Sequence, residues 1–411
     1  MKYSEYPSYK SSEIDWLGEV PEHWEITRLK YISSVNDDTL SKNTSDDMEI
    51  NYIDIGSVTT GYIQSYEHMK FSNSPSRARR IVRDGDILVS TVRTYLKAIA
   101  PVLAVHNNYI ASTGFAVIRP GVQLHSGYAK YALLSKYFID LVESRSVGVS
   151  YPSINASDLI TFSLALPLVD EQKKIADYLD GKVQKIDNLI TKLTKVIELL
   201  KEKRQAAVDN ITHKESMIYS RLGRVVNLIS RPVNRVVDKE YTALGLYNRG
   251  RGLFHKMPKK GNELGDSDFY WVQEGDLIIS GQFAWEGSVA LTSESENNCI
   301  VSHRYPIIRG KFGLMDTEYL WAYFTTREGG FFLNENSIGS AGRNRPLNIN
   351  TLMKENIPVP EIEKQIEISE IVKSDKKDKI LIYKTIELLK EKRSALISAA
   401  VTGKIDVREV A

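Results

Sequence analysis

An α+β fold built from two copies of one unit is predicted by three observations. The octapeptide Ile-Glu-Leu-Leu-Lys-Glu-Lys-Arg occurs twice without a change, at 197–204 and 386–393. Each copy lies in a long charged segment that opens after a proline and an acidic turn: Pro167 with Asp170, Glu171 and Gln172, and Pro360 with Glu361, Glu363 and Gln365. Outside these segments, short apolar runs broken by turn residues have the length and composition of strands. Together they predict two similar mixed α/β domains separated by two long antiparallel coiled-coil helices, an internal pseudo-twofold repeat. The boundaries expected are 1–167 for an N-terminal strap and first domain, 168–213 for the first helix, 214–359 for the second domain, and 360–411 for the second helix and tail.

In chain order, residues 9–24 carry Trp16 and Trp24 in a polar stretch. Exposed tryptophan is uncommon, so a strap laid over the outside of a domain is expected. From Glu25 to Pro167, the runs 52–55, 86–90 and 114–119 read as strands and 128–143 as a helix. The domain is sheet first and helix after.

The first long helix shows its register directly. Leu179, Val183, Ile186, Ile190, Leu193, Ile197, Leu200, Ala207 and Ile211 fall at alternating steps of four and three, with only Arg204 interrupting. That is the seam of a coiled coil. From Asp170 to His213 it would run roughly 65 Å at about 1.5 Å per residue.

The second half then repeats the first. Residues 274–280 (Glu-Gly-Asp-Leu-Ile-Ile-Ser) answer 84–90 (Asp-Gly-Asp-Ile-Leu-Val-Ser), 190 residues apart, and Ser302 and Arg309 answer Ser112 and Arg119 at the same offset. Residues 319–326 answer the helix, 337–339 answer 146–148, and Leu347, Asn348 and Leu352 answer Ile154, Asn155 and Leu159. Solenoid units are about 20–50 residues long, so a period near 190 is a duplicated domain. The loops after the matched strands differ, Thr-Val-Arg-Thr-Tyr at 91–95 against Gly-Gln-Phe-Ala-Trp at 281–285. Like frames with unlike loops are expected where each copy reads a different ligand.

The second long helix keeps the seam at Ile382, Ile386, Leu389, Leu396 and Ala400, one turn shorter than the first. Its residues 373–379 (Lys-Ser-Asp-Lys-Lys-Asp-Lys) are polar all round, which predicts a frayed or unwound patch. Gly403 is the expected stop. Two matching seams most simply pack antiparallel, since a domain must fit between them; two independent helices, each capping its own domain, would leave long apolar stripes uncovered.

At 411 residues, with 42% hydrophobic and 26% charged, the composition is that of a globular protein of two to four domains. No apolar run reaches membrane-spanning length, residues 1–10 are polar, and the lone Cys299 excludes an intramolecular disulfide. These predict a cytoplasmic protein without a membrane partner. Net charge is only +2, but its distribution is uneven. Residues 76–97 hold six basic side chains against two acidic, and 248–260 hold five against none.

Catalytic motifs are missing. The sequence has no Gly-x-x-x-x-Gly-Lys-Ser/Thr phosphate loop, no Gly-x-Ser-x-Gly elbow and no Pro-Pro of a base-methylating loop. Seven scattered histidines and one cysteine do not make a zinc site. Glu361 and Glu363 beside Lys364 open a helix, where carboxylates complement the dipole.

The arrangement resembles a type I restriction-modification specificity subunit. The likeness runs along the chain: Ile-Asp-Trp-Leu-Gly at 14–18 and Pro-Glu-His-Trp at 21–24, Pro167 with Glu171 and Gln172, the twin octapeptides, Pro360 with Gln365, and the ending Thr-Gly-Lys-Ile-Asp-Val-Arg at 402–408. The resemblance implies two target-recognition domains, each reading half of a split asymmetric sequence of double-stranded DNA in the major groove, with the paired helices as spacer. It implies as partners two modification subunits carrying S-adenosylmethionine and two restriction (motor-nuclease) subunits using ATP and magnesium. No catalysis and no cofactor would reside in this chain.

Candidate DNA contacts in the first domain are Ser90, Thr91, Arg93, Thr94, Tyr95 and Lys97, just past a matched strand, with Tyr151. In the second they are Arg249, Arg251, Gln282, Trp285, Arg343 and Arg345, with core packing the stronger role for Trp285. Arg77, Arg79 and Arg80 would touch backbone phosphates, setting affinity without choosing sequence. A solvated turn is the bland alternative for each. Two other functions compete: an assembly scaffold whose domains bind proteins, indifferent to DNA sequence, and a single-chain nuclease or methyltransferase with unusual motifs.

Overall fold

One strand order recurs in both halves of the computed structural model, which describes residues 4–15, 17–41, 43–212, 217–339 and 345–408. Residues 1–191 with 385–411 form one unit and 192–384 a second, so both long helices contribute to each. In the first unit Ser33–Val35, Phe115–Pro120, Ile87–Ser90 and Ile99–Pro101 lie in that order in an antiparallel sheet. In the second unit Val226–Ile229, Ile307–Gly310, Leu277–Ile279 and Val289–Leu291 repeat it.

The matched strands are apolar on both faces because both faces are covered. Ile87 and Val89 point into one core and Leu88 into another, and Leu277 and Ile279 separate from Ile278 in the same way. Each strand follows a turn whose glycine, Gly85 or Gly275, has a left-handed φ of +86° or +81°. The aspartate after each glycine is buried and charge-paired. Asp86 takes the Arg119 guanidinium through Nε and Nη2, both at 2.8 Å. Asp276 takes Arg231 at 2.7 and 3.1 Å and also binds Arg309 Nε.

The helical stretch expected at 128–143 is two helices, Ser126–Leu134 and Lys136–Arg145. Buried Ser135 breaks it by accepting the Phe138 N–H at 3.3 Å. In the second unit, Thr317–Phe324 and Arg327–Glu335 are parted at Thr326, whose hydroxyl accepts from Gly329 N–H at 3.0 Å.

Val169–Thr212 and Ile362–Val401 are the long helices, 44 and 40 residues. In the first unit Ile175, Leu179 and Val183 share a core with Leu396, Ile397 and Ala400. In the second, Val208 and Ile211 pack with Val372 and Ile368. The two helices are also joined by ion pairs, Asp187 with Arg393 in the first unit and Arg204 with Asp375 in the second. No helix among the described residues is long and apolar enough to cross a membrane.

A buried glutamine anchors the start of each helix. Gln172 Nε2 donates to Gln123 O at 2.9 Å and Pro167 O at 2.8 Å, while Oε1 accepts His125 N–H at 2.8 Å. Gln365 does the same with Leu314 O at 3.1 Å, Pro360 O at 2.7 Å and Asp316 N–H at 2.8 Å.

One expectation needs correction. The polar stretch 373–379 is not frayed, and the helix runs through it. Asp375 occupies a seam position, 3% exposed, and faces Arg204, 5% exposed, whose guanidinium lies 4.6 Å from the Trp321 ring centre. A seam asks only one residue in three or four to face inward, so a mainly polar stretch can continue it if the inward charge is matched. The N-terminal segment, expected as a strap over the domain, packs with its apolar side chains turned in. Tyr6, Leu17, Val20 and Trp24 are core residues, and Tyr9–Ser11 pairs with Glu19–Pro21; Trp16 lies outside the described residues. Glu171 gathers this segment, accepting from Tyr6 OH at 2.9 Å and Trp24 Nε1 at 3.2 Å, with His23 Nε2 at 2.8 Å. Burial and the Glu171 carboxylate push the Tyr6 phenol up, so it stays a proton donor.

Candidate nucleic-acid interface

In each unit the loop after the matched strand is tied to a second loop by an equivalent backbone hydrogen bond. Ile154 N–H donates to Thr91 O at 2.9 Å in the first unit, and Leu347 N–H to Gly281 O at 2.8 Å in the second. The strand ends carry these loops to one edge of each frame, where residues distant in sequence meet.

In the first unit, the 3₁₀ turn Thr94–Leu96 is flanked by Arg93 and Lys97, both with φ of +51°. A side chain in the left-handed region costs on the order of 1–3 kcal/mol and persists where surrounding contacts hold it. Thr94 N–H reaches Pro152 O, and Leu96 N–H and Lys97 N–H close on Arg93 O and Thr94 O at 2.9 Å. The exposed Arg93 guanidinium lies 5.4 Å from the Tyr151 ring centre. Tyr95 and Tyr151 are also exposed, and Lys97 Nζ is 3.5 Å from Glu143. Three other candidates face inward. Ser90 Oγ donates to Val92 O at 2.6 Å, Thr91 Oγ1 to Gly114 O at 2.9 Å and Thr94 Oγ1 to Ser146 Oγ at 2.8 Å. Short hydroxyl side chains in a turn find nearby acceptors first, so these three shape the loop, with Ser90 and Thr94 buried and Thr91 half-buried.

In the second unit Gln282 is exposed, while Trp285 is half-buried under Arg345, whose guanidinium carbon is 5.3 Å from the indole centre. Arg345 Nε donates to Ser337 O at 3.2 Å. Trp285 Nε1 is buried without a hydrogen-bond partner among the described residues. Arg249, left-handed at φ +60°, donates its N–H to Glu286 O at 2.8 Å, and Gly250 N–H donates to Gly287 O at 2.7 Å. Arg251 stacks on Tyr247 at 5.3 Å. Arg249 and Arg251 therefore join the loop holding Gln282 and Trp285, whereas Arg343 lies outside the described residues.

Arg77, Arg79 and Arg80 stand apart from these loops, on and beside the strand Ala78–Ile81. Arg77 binds Asp54 at 3.1 Å and Tyr52 OH at 3.0 Å. Arg79 stacks on Phe71, and burial pulls the Arg80 guanidinium down. Sequence reasoning passed over Val147 and Val149, nearly bare on the second loop, and Tyr247 beneath Arg251. The signal for the valines was present, since 146–148 belongs to the repeat.

Residues 21–199 match the family described as the type I restriction modification DNA specificity domain. The HindI specificity subunit of Haemophilus influenzae is 29% identical over 170 residues, which is 39% of this chain and 36% of that protein. The MjaVIII specificity subunit of Methanocaldococcus jannaschii is 23% identical over 198 residues, 45% of this chain and 44% of that protein. The matched regions thus span less than half the length of these relatives. A solved structure described for complex assembly and conformational transition of the type I R-M system shares the fold, with a TM-score of 0.61 at 21% identity over 93% of this chain and 98% of its own. The family likeness thus lies in residues 21–199, and the solved structure shares the fold.

Proposed function

We propose that this chain is the non-catalytic specificity subunit of a type I restriction-modification enzyme, binding a bipartite asymmetric site in double-stranded DNA. The observation that carries this is the duplicated loop pair: the same backbone bond in each unit, at Thr91 with Ile154 and at Gly281 with Leu347, displays unlike side chains. Base edges are distinguished by donors and acceptors held rigidly in the major groove, and cationic loops on a fixed frame meet that requirement. The paired helices set the number of unread base pairs between the half-sites. Two modification subunits with S-adenosylmethionine and two restriction subunits with ATP and magnesium supply the chemistry, and a cytoplasmic location follows from the substrate.

The test is to exchange residues 25–166 for the corresponding domain of another specificity subunit and to sequence modified bases in cells carrying the hybrid. One half of the modified sequence changes and the other stays. A change in both halves, or in neither, rejects the assignment of one half-site to each domain. If the purified chain instead binds all duplexes equally, it is an assembly scaffold.

A further inference from the structure

Resting on that reading of the loop pair as a DNA interface, we propose that Arg93 and Arg345 each read the major-groove edge of a guanine, one in each half of the target. The two units build the same stacked pair with the contributing loops exchanged. In the first, the arginine comes from the loop after the matched strand and the ring, Tyr151, from the second loop. In the second, the ring, Trp285, follows the matched strand and the arginine comes from the second loop.

A ring face within about 6 Å attracts the guanidinium and restrains it near the ring. Guanine offers two acceptors, O6 and N7, on its major-groove edge, and the planar arginine fork matches them. Arg345 uses Nε on Ser337 O, which leaves its two Nη groups as the fork. Arg93 has no carboxylate partner among the described residues, in contrast to Arg77 and Arg119, which bind Asp54 and Asp86. It is also held in the left-handed conformation at φ +51°. An unneutralised cation kept at a backbone cost and aligned on a ring suits a directional contact. A phosphate needs only charge, and a flexible lysine would serve as well.

The experiment is selection of duplexes from a randomised pool by the purified full-length chain, followed by sequencing, for wild type, Arg93→Ala, Arg93→Gln, Arg345→Ala and Arg345→Gln. Wild type enriches a two-part sequence with a guanine at one fixed position in each part. Either Arg93 variant loses roughly 10- to 100-fold of the preference for one of those guanines and leaves the other half unchanged; the Arg345 variants do the reverse. Glutamine is the decisive substitution, since its amide fits adenine and keeps a polar side chain of similar reach. Retention of both guanines, with binding weakened equally for all sequences and a shallower salt dependence, would make these phosphate contacts and overturn the proposal. Absence of any enriched sequence with wild type is a different result, against DNA recognition itself.

Discussion

Arg204 and Asp375 face each other between the long helices of the second unit, both buried, with Nη1 and Oδ2 3.5 Å apart. Arg204 is the last residue of the first octapeptide. Arg393, the last residue of the second, binds Asp187 at 3.0 Å in the first unit. Identical segments therefore end in arginines that each meet an aspartate of the opposite helix, which ties helix pairing to a particular register.

Burial pulls the Arg204 guanidinium down and pushes the Asp375 carboxyl up, so desolvation outweighs the attraction between them. Arg204→Met or Asp375→Leu alone leaves one buried charge and should cost about 3–5 kcal/mol, while the double replacement should return close to wild type. Urea unfolding of the three variants checks this. A double loss equal to the sum of the two single losses would show that the charges do not interact.

Gln172→Ala removes three hydrogen bonds and leaves His125 N–H without its acceptor. A loss of about 1–3 kcal/mol is expected, with faster hydrogen exchange at that amide. Gln365→Ala should do the same at Asp316 N–H. Glutamate at either position should be worse than alanine, because a carboxylate cannot donate to the two carbonyls.

Glu171→Ala strands the Tyr6 hydroxyl and the Trp24 indole N–H. Each unpartnered donor should cost about 1–3 kcal/mol. Protease cleavage within the first twenty or so residues and a shift in tryptophan fluorescence would report release of the N-terminal segment. Unchanged cleavage would mean that apolar packing of Leu17, Val20 and Trp24 suffices to hold it.

The Arg119 guanidinium, through its hydrogen bond, holds the Asp38 carboxyl below the ordinary value of 3.8. A carboxyl lowered in the folded state contributes its stability above the unfolded value and loses it as pH falls through the folded one. The difference in thermal stability between wild type and Asp38→Asn should thus be constant near neutrality, begin to shrink near pH 3.8 and vanish only at pH values under the folded one. A difference that persists there would trace to packing and not to charge.

Much of the frame was legible in the linear order. The octapeptides, the matched strands and the seam period survive as identity and spacing, and two long helices form, Val169–Thr212 and Ile362–Val401. The 373–379 stretch misled because composition counts every side chain, whereas the seam depends on the few that face inward; Asp375 is safe there only opposite Arg204. The partner of Trp24 was not legible for a related reason. Its N–H is accepted by Glu171, far along the chain.

Sequence alone determined the duplicated α+β architecture, the two long helices and the presence of unlike loops on like frames, since periodicity and repetition are local properties written in residue order. Tertiary structure alone decided which loop residues face outward, which arginine lies on which ring, and which charges neutralise each other across the helices. Those outcomes depend on contacts between residues tens to hundreds of positions apart, as with Arg93 and Tyr151 or Arg204 and Asp375. Burial and geometry, not residue type, set the free energy of such contacts.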